Sequence, residues 1–120
     1  MALSPIAVRA GRRGPEELWE HCRNSLGIAR LLHHEGRADE LVATACRLAV
    51  ETACRAALEQ FALEYDGDLE HALARLGAPR DVWELQQSGS SARRVAAAER
   101  GVAWFASFLR RAAPGQAWLF

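Results

Sequence analysis

The chain contains no lysine. All 15 of its Lys/Arg-type basic residues are arginine, and 15 acids bring the formal net charge to zero. A chain so balanced exerts no net electrostatic pull on nucleic acid or on a charged membrane surface. The absence of lysine beside abundant alanine reads as the codon bias of a GC-rich prokaryotic genome. Arginine's permanently charged fork also suits phosphate or interface ion pairs. No run of residues is long and apolar enough to span a bilayer, and no segment alternates apolar and polar residues as a half-buried strand does. Cysteine is sparse. Cys22, Cys46 and Cys54 form no CxxC unit and are odd in number; set among apolar neighbours in helical patterns, they are expected to be reduced core thiols of a cytoplasmic protein. The opening MALSPIAVRAGRRG places a short apolar piece before arginines, the reverse of a secretory signal, so residues 1–14 read as a flexible arm.

What the sequence does have is helical periodicity. At 120 residues it is long enough for one domain with a real core. Its organising stretch, GRADELVATACRLAVETACRAALEQFALEY, has no Gly or Pro between Ala38 and Asp66. At about 100° per residue, Thr44, Arg47, Glu51 and Arg55 share roughly a quarter turn, while Leu41, Val42, Cys46, Leu48, Val50, Leu58 and Phe61 with many alanines fill the rest. A helix this apolar is expected to be covered on more than one side. Arg47–Glu51–Arg55 forms an i, i+4 ladder that reads as a solvated face.

Before it, Pro15 with Glu16 and Glu17 opens a helix whose stripe is Leu18, Cys22, Leu26, Ala29, Leu32 and His33, ending near Gly36. Asp39 is expected to cap the central helix, antiparallel to the first across a short turn. After Tyr65, Asp68 caps a shorter helix carrying Leu69, Ala72, Leu73 and Leu76. Asp81 to Gln87 reads as a further short helical piece. Ser90 or Ser91 caps a last helix from about Ala92 to Arg111. Two adjoining stripes, Val95–Ala98–Val102–Phe105–Leu109 and Ala97–Gly101–Trp104–Phe108–Ala112, cover more of that helix than a bundle core needs. Gly101, Trp104 and Phe108 are therefore expected to face a dimer or other partner. The expected fold is all-α: an up-and-down four-helix bundle over residues 15–113 with an extra short helix, then an apolar tail, residues 114–120.

Few residues point to chemistry. His33 and His34 diverge by about 100°, and Glu17–His21 has no second pair to complete a di-iron set, so no metal site and no cofactor are expected. The cysteines lie where a thiol is inert, and GRRG at 11–14 lacks the rest of a phosphate loop. The best basic feature is the edge of the last helix, where Arg93, Arg94, Arg100 and Arg111 run beside Trp104 and Phe108. Such an edge can hold phosphate and stack a base; it also suits the polar rim of a dimer interface.

The segment LLHHEGRADELVATACRLAVETACRAALEQF resembles the core of the HEPN family (higher eukaryotes and prokaryotes nucleotide-binding). Members read A-x-x-L-L-x-x-G-x-[YW]-x-x-A, then small residues, an A-x-E step and K-A-L-L. Ala29, Leu31, Leu32, Gly36, Ala49-Val50-Glu51 and Ala56-Ala57-Leu58 occupy those places here. Ala38 stands where an aromatic is common, and Arg55 replaces lysine. The resemblance implies a four- or five-helix bundle, usually a homodimer, often encoded beside a nucleotidyltransferase in toxin–antitoxin-type pairs. Many members cleave RNA with R-x(4–6)-H near the start of the last main helix. Arg93 and Arg94 stand there, but no histidine follows His71, and Ala98 and Glu99 occupy the fifth and sixth positions after Arg93. No catalytic residue is therefore assigned. The expected function is binding of a nucleotide, RNA or a nucleotidyltransferase-type partner protein through Arg93, Arg94 and Arg100. The alternatives are a diverged HEPN ribonuclease using Arg94 with Glu99 or His71, and a plain interaction subunit docking through Trp104, Phe108 and the tail.

Overall fold

The computed structural model describes residues 14–79 and 89–112 of the chain. They form α1 (Pro15–His34), α2 (Asp39–Gln60), α3 (Leu69–Leu76) and α4 (Ser91–Ala112), with no strand among the described residues. The arm at 1–13, the expected helical piece at 81–87 and the tail lie outside them.

Local chemistry sets most of these boundaries. Proline occupies the first position of α1, where its missing N–H costs no hydrogen bond, and Glu16 and Glu17 sit at the positive end of the dipole. The Asp68 side chain accepts the backbone N–H of His71 at 3.1 Å and so caps α3. The Ser90 hydroxyl accepts that of Arg93 at 3.2 Å at the start of α4. Two expectations on α2 are corrected. Asp39 does not cap the helix; Ala38 is the capping residue, without a side-chain cap bond, and Asp39 the first helical one. Its carboxylate instead accepts the Ser91 hydroxyl, tying the start of α2 to the start of α4. The helical pattern also overshoots its end. α2 stops at Gln60, Ala62 turns left-handed at φ 57°, and the N–H of Leu63 bonds back to the Leu58 carbonyl at 2.9 Å.

These contacts fix the topology. A four-residue turn makes α1 and α2 antiparallel. Ser91 meets Asp39 at one end and Phe108 meets Phe61 at the other, so α4 runs parallel to α2. The return leg begins with α3, whose 8 residues span about 12 Å against about 33 Å for α2. Among the described residues the bundle thus has three long helices and one short one, with α2 central to them.

The core joins all four helices. Cys22, Leu26 and Ala29 of α1, Val42, Cys46, Val50 and Leu58 of α2, Leu69 and Leu73 of α3, and Val95, Phe105 and Leu109 of α4 are buried in one cluster. Alanines at 45, 49, 53, 56 and 57 carry α2 through its middle; their small side chains let neighbouring helices approach closely. Trp19 is also buried, at a position outside the expected α1 stripe, whereas His33 is exposed. No helix of the described residues is long and apolar enough to cross a membrane.

Candidate functional site

The arginine edge is built by the start of α4. Arg93 and Arg100 are exposed, and Arg94 is half-buried with its Nε 3.4 Å from the Gly89 carbonyl. At about 100° per residue, Arg93, Arg100 and Trp104 fall in one narrow strip, with Arg94 a quarter turn away. Arg94 leans towards α2, close enough for its charge to act on Cys46.

Trp104 and Phe108 are half-buried and pack against the core. Their rings stack at 5.4 Å, and Phe61 meets Phe108 edge-on at 5.8 Å. Trp104 also contacts Phe105 edge-on at 5.0 Å. These are favourable aromatic geometries, and together they make a ladder of rings along α4 that ends at exposed Phe61. Gly101 is buried inside the chain's own packing. Of the expected site residues, then, the fold brings Arg93, Arg100, Trp104 and Phe108 onto one edge, sets Arg94 beside it, and takes Gly101 inside.

The two groups considered as alternative bases are both engaged. Arg30 of α1 grips Glu99 Oε2 through Nε at 3.1 Å and Nη2 at 2.7 Å. His71 lies on α3, its Nδ1 2.6 Å from Asp66 Oδ2. That position adjoins the C-terminal half of α2, whereas Arg94 sits near the N-terminal half, so the two are at opposite ends of the bundle. The Asp66 carboxyl is held below its usual range by the Asp68 N–H and then by His71.

Burial makes the thiols poor nucleophiles. It pushes Cys22 and Cys54 up to about 12 and Cys46 up to about 11, where almost no thiolate exists at neutral pH. All three are free. The described residues contain no group of three or more His, Cys, Asp or Glu able to hold a metal ion.

The sequence missed two features. First, the Arg47–Glu51–Arg55 face is not simply solvated: Glu51 and Arg55 are half-buried. Tyr65 folds back over them, donating its hydroxyl to Glu51 Oε2 at 3.1 Å and lying 6.0 Å from the Arg55 guanidinium carbon. Burial, then the Glu51 charge, pushes the Tyr65 phenol up to about 12. Nothing local to Tyr65 signals that reach across 14 residues. Second, α2 is not covered all round. Leu41 and Leu48 are 48% and 46% exposed, and Ile28 and Leu31 of α1 are 53% and 56% exposed. Compared with known proteins, the chain matches no family model, no curated protein and no solved structure.

Proposed function

We propose that the chain is a non-catalytic, HEPN-like helical bundle, homodimeric, that binds a phosphate-bearing nucleotide or RNA along the Arg93–Arg100–Trp104 edge of α4, alone or with a nucleotidyltransferase-type partner of a toxin–antitoxin pair. The observation that carries this reading is the row itself: arginine side chains at 93 and 100 followed by the stacked rings of Trp104 and Phe108. Guanidinium groups recognise phosphate through paired hydrogen bonds, and an aromatic face stacks a base without regard to its identity. The non-catalytic part follows from chemistry. Of the two candidate bases, Glu99 is gripped by Arg30, which offsets its charge, and His71, held by Asp66, is remote from Arg94 within the chain.

A thermal-shift titration with ATP, GTP and a short RNA tests this, comparing the wild type with Arg93→Ala/Arg94→Ala and with Arg100→Ala. A ligand at about 100 times its Kd stabilises the folded state by about 2.7 kcal/mol, a rise of several degrees. The rise should vanish in the double variant and shrink in Arg100→Ala. Unchanged melting with every ligand would sink the nucleotide reading and favour the plain interaction subunit, for which exposed Phe61 beside Phe108 supplies the surface.

A further inference from the structure

We draw no further inference here: the strongest candidate, the apolar patch where exposed Phe61 closes the Trp104–Phe108 ring ladder at the ends of α2 and α4, carries nothing because nothing in the structure shows what covers it.

Discussion

The ends of the described helices contain a natural experiment in backbone conformation. α1, α2 and α3 finish in the same way. A residue at the cap (α3) or just past it (α1 and α2) turns left-handed, its N–H bonds to a carbonyl three residues back, and the next N–H closes a wider ring. At α1 these are Gly36 to His33 at 3.0 Å and Arg37 to Leu32 at 2.9 Å; at α2, Ala62 to Glu59 at 3.0 Å and Leu63 to Leu58 at 2.9 Å; at α3, Gly77 to Ala74 at 3.1 Å and Ala78 to Leu73 at 2.9 Å. The φ angles are 68°, 57° and 71°. Two of the three pivots are glycine, as this motif prefers, and one is alanine. A Cβ in this conformation costs about 1–2 kcal/mol, of which glycine's greater freedom in the unfolded chain returns about 0.5–1 kcal/mol. Ala62→Gly should therefore stabilise the fold by about 0.5–1 kcal/mol, a rise in Tm of about 2–6 °C for a domain of this size. Gly36→Ala and Gly77→Ala should lower stability by a similar amount. No atom lies within 4 Å of a Cβ built at either glycine, so the loss would measure conformation and not collision. Urea and thermal unfolding followed at 222 nm read all three. If Ala62→Gly destabilises while the two alanine variants behave as expected, α2 does not end in a strained turn and the argument fails.

The buried thiols give an alkaline prediction. Their folded pKa values exceed the ordinary 9.0, so above about pH 9 the unfolded chain releases protons that the folded chain keeps, and stability should fall steadily from pH 9 towards 11. At pH 8 the native protein should leave all three cysteines unreacted with an aromatic disulfide reagent and release three equivalents in denaturant; rapid native reaction at any one would contradict its burial. The chain has one tyrosine, so phenolate absorbance reports Tyr65 alone. Its midpoint should lie near 12 in the wild type and drop in Glu51→Gln, stopping short of the ordinary 10.0 because burial remains.

Helix identity was legible because it is written in short-range chemistry. Pro15 with its two acids, Asp68 and Ser90 each mark a helix start, and each was readable as such. The stripe Val95–Ala98–Val102–Phe105–Leu109 is buried as its spacing requires. Errors arose wherever the deciding contact was long-range. Asp39 looks like a cap from its neighbours, yet its partner is Ser91, 52 residues away. The run from Phe61 to Tyr65 continues the helical composition without a glycine or proline, and only the left-handed Ala62 and the return of Tyr65 to Glu51 show that the helix has ended. The expectation that α2 is covered on more than one side holds, since α1, α3 and α4 all pack against it, but composition cannot tell a face covered by the same chain from one left bare, as Leu41 and Leu48 are. The arginine edge was legible as a row. That Arg30 would take up Glu99, which bears on whether the edge can do acid–base chemistry, was not, because the two lie 69 residues apart.

Pairing and ligand binding would be linked by where two copies meet, and that has a measurable consequence. Copies that met through the outer side of α4 would cover each other's Arg93 and Arg100, and ligand binding would compete with pairing. Copies that met elsewhere would leave the coupling free energy near zero. Thermal-shift titrations repeated over a hundredfold range of chain concentration separate the two. On the reading proposed for the Arg93–Arg100–Trp104 edge, the ligand-induced rise should keep the same ligand dependence throughout. A midpoint that moves to higher ligand as the chain is concentrated would mean that pairing covers the edge, and an edge that binds independently of pairing would be refuted.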